Sequence, residues 1–122
     1  VSIVPQRETR VVGDVLQAVR CLQGGKFWRN NTGVAVMPGR RAPVRFGEPG
    51  AADILGAFRG LPVAIECKTA TGRQSAVQKR WQADWEAAGG RYIIARCVAD
   101  AFAGLAVDAS TPRVKPSRVI HR

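Results

Sequence analysis

Three charged residues near the middle of the chain, Asp53, Glu66 and Lys68, have types and spacing that suit chemistry on a phosphate. Asp53 follows Gly50-Ala51-Ala52 and precedes the apolar Ile54 and Leu55, and Glu66 and Lys68 close the apolar stretch Val63 to Ile65. In an extended strand, residues two apart share a face, so Glu66 and Lys68 point the same way and Cys67 points the other. Two adjacent carboxylates repel unless a cation sits between them. Hard divalent ions such as magnesium or manganese take oxygen ligands of this kind, and the backbone carbonyl of Cys67 is near enough to add one. Lys68 can orient a water, help deprotonate it and offset charge on a pentavalent phosphate. These are the parts that phosphodiester hydrolysis requires. The competing reading is a surface salt-bridge cluster at a hairpin rim, and the D…E-x-K pattern alone does not choose between them.

The elements around these residues must bring them together. Ala52 to Phe58 and Leu61 to Cys67 read as strands, with Arg59 and Gly60 at the turn. So short a turn containing glycine predicts an antiparallel hairpin, which sets Asp53 beside Glu66 and Lys68. Pro62 fits only at the start of its strand. Ser75 and Gln78 match a capping box for a helix running to about Ala88, with Val77, Trp81, Trp85 and Ala88 along one face. Gln78 sits in the first turn, where its side chain can cap the helix or face the rim. Arg91 to Val98 reads as a strand, so the order from Leu61 onward predicts a right-handed crossover between parallel neighbours. Asp100 is placed to cap a short helix over Ala101 to Val107.

Upstream, Pro5 to about Gln23 reads as a helix, its apolar face made by Val12, Val15, Leu16, Val19 and Leu22 and its end set by Gly24 and Gly25. Glu8 lies near its start, where a negative charge suits the helix dipole. Lys26 to Arg29 predicts a short strand. Asn30 to Gly50 predicts a long loop with extended pieces at Val34 to Met37 and Val44 to Phe46. Together these elements predict an α/β fold with a mixed sheet flanked by helices.

Residues 1–109 read as one domain, and 110–122 as a basic tail or edge element. The chain has 122 residues, nineteen Lys and Arg against nine Asp and Glu, and a formal net charge of +10. A small domain this basic suits a polyanionic partner, most often nucleic acid. Arg40, Arg41 and Arg45 in the loop, with Arg73 and Lys79 beyond the hairpin, are the candidates for gripping a phosphate backbone. Cys21, Cys67 and Cys97 are odd in number and widely spaced, which predicts buried free thiols rather than a zinc or disulfide framework. No apolar run spans a bilayer and the first residues lack the order of a secretory signal, which predicts a cytoplasmic protein. Trp81 and Trp85 either cover the core or meet a partner.

Four stretches form an ordered set: GAAD at Gly50 to Asp53, IECK at Ile65 to Lys68, GRQSAVQKRW from Gly72 to Trp81, and AGGRYIIAR from Ala88 to Arg96. In this order the chain resembles the VRR-NUC family, the virus-type replication-repair nucleases of the PD-(D/E)XK superfamily. The resemblance extends from about Glu8 to Arg96. One departure is Ala52 where the superfamily usually has proline before its aspartate. The resemblance implies a restriction-endonuclease-like core. It implies Glu8, Asp53, Glu66 and the Cys67 carbonyl as ligands of Mg2+ or Mn2+, Lys68 as the catalytic lysine and Gln78 as the active-site glutamine. It also implies a homodimer that cuts branched DNA such as Holliday junctions, in DNA repair. The alternative is a nucleic-acid-binding module without catalysis.

Overall fold

The computed structural model describes residues 7–39 and 41–114. Pro5, Arg40 and residues 115–122 of the expected tail lie outside the described residues. Helix α1 covers Glu8–Val19 and buries Val11, Val12, Val15 and Val19 at helical spacing. It stops earlier than Gly24 and Gly25 suggest. Arg20 caps it, and Leu22, 1% exposed, packs from the turn that follows. The reason is that Gly25 already belongs to a strand, so the reversal must be complete by Gly24, whose φ of 84° serves that turn.

The remaining elements are β1 (Gly25–Arg29), β2 (Gly33–Ala35), β3 (Val44–Phe46), β4 (Ile54–Phe58), β5 (Leu61–Cys67), α2 (Ala76–Ala87), β6 (Arg91–Ala95) and α3 (Val98–Gly104). Four strands form a mixed sheet in the order β1-β4-β5-β6. β4 is antiparallel to β1 and β5, while β6 runs parallel to β5 across the α2 connection. β2 and β3 make a separate antiparallel ribbon. The β4–β5 turn holds Arg59 at φ 49° and Gly60 at φ 85°, and two positive φ values are what a two-residue hairpin needs to match strand twist. The fold is α/β with a mixed sheet flanked by helices, consistent with a restriction-endonuclease-like core.

The main core lies between one sheet face and the helices α1 and α3. It includes Val15, Val19, Ile54, Val63, Ile65, Cys67 and Ala101. α2 covers the other face less completely. Trp81 and Trp85, stacked 5.0 Å apart, pack with Leu55 on Ala52, Ala64 and Tyr92. The apolar stripe expected along α2 is therefore narrower than its sequence spacing. Val77 is 52% exposed and Ala88 lies at the surface, so the apolar contact of α2 with the sheet is made by the two indoles.

Smaller differences have local causes. Strand β4 begins at Ile54 rather than Ala52, and β6 ends at Ala95 rather than Val98. α3 starts early, with Cys97 at its cap position, so Asp100 falls in the first turn and accepts the Arg96 N–H at 2.9 Å. This leaves Cys97 exposed and Cys21 half-buried, so only Cys67 has the buried thiol expected of all three. Residues 112–114 behave as an edge element. Leu22 bridges Arg113, the Val114 N–H donates to the Cys21 carbonyl, and the Gln23 N–H to the Pro112 carbonyl.

Ile65 is fully buried between the strands and α1. Ile65→Ala should lower unfolding free energy by about 2–5 kcal/mol, whereas Ser75→Ala, a cap at the surface, should cost about 1 kcal/mol. Urea denaturation of the two variants checks the difference.

Candidate metal centre

Hairpin register brings the acids together. Ile54 pairs with Ile65, so Asp53 lies opposite Glu66 where the two strands end. The Cys67 N–H donates to Asp53 Oδ2 at 2.8 Å, tying the aspartate to the far strand. Asn30, just after β1, holds the same segment from the other side. Its N–H donates to the Asp53 carbonyl at 2.8 Å and its side-chain amide to the Ala52 carbonyl at 3.1 Å.

Glu66 is 1% exposed. Its Oε2 accepts from Gln78 Nε2 at 2.9 Å and lies 3.3 Å from Lys68 Nζ. Its Oε1 is buried and has no hydrogen-bond partner. A buried carboxylate oxygen left alone is costly, and such an atom calls for a ligand. Glu8, on the first turn of α1, reaches in from the helix side, with Oε1 3.7 Å from Lys68 Nζ. Glu8, Asp53 and Glu66 each offer a carboxylate oxygen, and these oxygens lie within 4.8 Å of one another. They line an open cleft of about 370 Å³ with Arg29 and Gln78. Such a set of hard oxygen donors can hold a divalent metal ion.

Electrostatics agree with the geometry. Burial pushes the Glu66 carboxyl up to about 7, and the neighbouring Asp53 charge adds to this against the opposing Lys68. Asp53 is also raised, first by burial, although the Cys67 N–H works against the shift. Burial, then the charges of Asp53 and Glu66, raise the pKa of the thiol on the Cys67 side chain. That side chain faces the α1–α3 core, as strand alternation requires.

The two roles open to Gln78 are combined in one amide. Its Oε1 accepts the Ser75 N–H at 2.9 Å in a complete capping box, while Nε2 donates to Glu66. Glu8, Asp53, Glu66, Lys68 and Gln78 therefore meet in one place. The expected phosphate-gripping residues do not join them. Arg41, Arg45, Arg73 and Lys79 are exposed, and only Arg45 borders an adjoining concavity. Two contributors escaped the sequence reading. Arg29 lines the cleft and its charge favours ionised Asp53; Asn30 supports the Asp53 backbone. Arg29 ends the expected strand and Asn30 follows it, but their place depends on β1 pairing with β4, which no local pattern specified.

Comparison with known proteins finds no family model and no curated protein that matches the chain. Among the described residues, no helix is long and apolar enough to cross a membrane.

Glu66 has an ordinary value of 4.5, which the unfolded chain would show, and one of about 7 when folded. Between these values the folded protein retains a proton that the unfolded chain has released. The metal-free protein should therefore lose stability as pH rises from about 4.5 to 7, by roughly 3 kcal/mol from this group, and level off above. Glu66→Gln should flatten that slope in urea denaturation across this range. Magnesium should raise the melting temperature of wild type more at pH 8 than at pH 5, because binding needs the ionised carboxylates.

Proposed function

We propose that this domain is a divalent-metal-dependent endonuclease that hydrolyses phosphodiester bonds in DNA, branched DNA such as Holliday junctions above all. The single observation that carries this reading is the buried Glu66 carboxylate, whose Oε1 has no partner and which clusters with the carboxylates of Asp53 and Glu8. A surface salt-bridge cluster would leave no such atom. Glu8, Asp53, Glu66 and the Cys67 carbonyl would hold Mg2+ or Mn2+. When bound, the ion supplies Lewis acidity to the scissile phosphate and lowers the pKa of water there.

The chain's own groups do the rest. Lys68, 10% exposed at its side chain, carries a positive charge between Glu8 and Glu66, where it can orient the attacking water and offset charge on the phosphate. Gln78, fixed at both ends of its amide, keeps Glu66 from turning and presents a polar edge to the same water. The net charge of +10 draws in the polyanion. Exposed Arg41, Arg45, Arg73 and Lys79, with Arg40, would contact phosphates, which positions DNA without reading bases. This favours selection by DNA shape, as in the VRR-NUC nucleases that the motifs resemble. A homodimer completes the reading, since a branched substrate offers two equivalent strands. Trp81 and Trp85 pack on their own sheet and stay partly exposed, which leaves part of that face open to a partner.

The test is cleavage of junction, flap, duplex and single-stranded DNA with magnesium, manganese or chelator. Wild type should cut branched DNA with either metal and fail with chelator. Lys68→Ala should lower the rate by about 100-fold or more while leaving binding largely intact. Equal cutting by the two proteins would sink the assignment, and binding without any metal-dependent cutting would favour a non-catalytic module. Light scattering should give twice the chain mass, and a monomer would remove the dimer.

A further inference from the structure

Beside the acidic cleft lies a second concavity of about 300 Å³ that the chemistry above does not use. The β2–β3 ribbon forms one side and the first turn of α2 the other. Thr32 and Gly50 line both spaces, so the two adjoin.

Two glycines shape it. Gly33 is the cross-strand partner of Phe46, and a Cβ at Gly33 would lie 2.9 Å from the Phe46 ring. The ring thus rests against bare backbone, yet Phe46 remains 45% exposed. Gly50 has φ 79°, and a Cβ there would come within 2.6 Å of the Val77 carbonyl. This close approach sets the α2 turn against the loop, with Val77 52% exposed in the same concavity. Arg45, on the strand that carries Phe46, borders the space.

An aromatic ring supported from behind and open in front suits single-stranded nucleic acid, whose bases stack on such a ring. Bases within a continuous duplex are already stacked on one another and must be extruded to reach such a ring. Val77 directly precedes Gln78, so a base in this space would lie close to the segment that contacts Glu66.

We propose that this concavity receives an unpaired nucleobase of the DNA substrate, stacked on Phe46 and packed against Val77. The identity of the substrate rests on the nuclease reading. Such a site gives a physical basis for choosing branched DNA, where a base beside the scissile bond is unpaired, as in a flap, or extruded at the branch point.

Binding of a single-stranded oligonucleotide, a flap and a continuous duplex is measured by fluorescence anisotropy with chelator present, for wild type, Phe46→Ala and Phe46→Trp. Phe46→Ala should bind the single strand and the flap about 10-fold more weakly, with duplex affinity little changed, and Phe46→Trp should retain wild-type binding. Wild-type protein should also cross-link through Phe46 to 5-iodouracil placed at an unpaired position, a readout independent of how any variant folds. Unchanged single-strand binding by Phe46→Ala, equal loss on all three DNAs, or cross-links that avoid Phe46 would overturn the proposal. Cutting that persists alongside such a result leaves the nuclease reading standing without the base site. Selective single-strand binding through Phe46 in a protein that cuts nothing leaves the base site without the nuclease.

Discussion

The hydrogen bond from the Cys67 N–H to Asp53 is the constraint on which the site depends. It joins the end of β5 to the segment entering β4, so one acid is held at a fixed place beside the other. Two carboxylates in a partly desolvated setting would otherwise separate, since the Asp53 charge raises the cost of ionising Glu66, and the Glu8 charge that of ionising Asp53. The strand pairing behind that bond is buried. Ile54, Val63 and Ile65 are fully covered, so a one-residue slip would turn these apolar side chains to the wrong face. The hydrophobic core thereby sets the register that opposes two acids at the sheet end.

Helix α2 couples to this arrangement through one residue. Gln78 closes the capping box with Ser75 and holds Glu66 with the other end of its amide. The geometry that starts the helix also orients the buried acid. Arg96 works in a similar way after β6. Its guanidinium donates to the carbonyls of Thr69 and Gly72, so the loop following Lys68 is tied down between strand and helix. Lys68 is thereby supported on both sides, by the β5 strand before it and by a clamped loop after it. Rigid support of this kind keeps a small set of charged groups in one geometry.

The ribbon contributes differently. β2 and β3 stand apart from the main sheet, and Val34, Val36, Met37 and Phe46 stay exposed there. The ribbon lines a concavity together with Val77 of α2, and Thr32 at its base also borders the acidic cleft. The same chain thus has a closed core that fixes the acids and an open, arginine-bearing edge beside them.

Local chemistry alone determined much of this molecule. Strand alternation places Glu66 opposite in facing to Cys67, glycine at the β4–β5 turn closes the hairpin, and Ser75 with Gln78 starts α2. These depend on neighbours two to four residues away, so they are legible in the order of residues. The ends of α1 and α3 were less so, because Gly25 is taken by β1, which pairs with β4, and α3 starts at Val98 with Asp100 turned back on the Arg96 N–H. Tertiary structure alone decided that Glu8 reaches Lys68 from another helix, that Arg29 and Asn30 flank Asp53, and that Glu66 Oε1 is buried without a partner. It also decided that Gln78 serves cap and site together. Each of these joins segments far apart in the chain, where only packing of the core fixes distance and burial, and burial is what turns a pair of ordinary carboxylates into a site that calls for a cation.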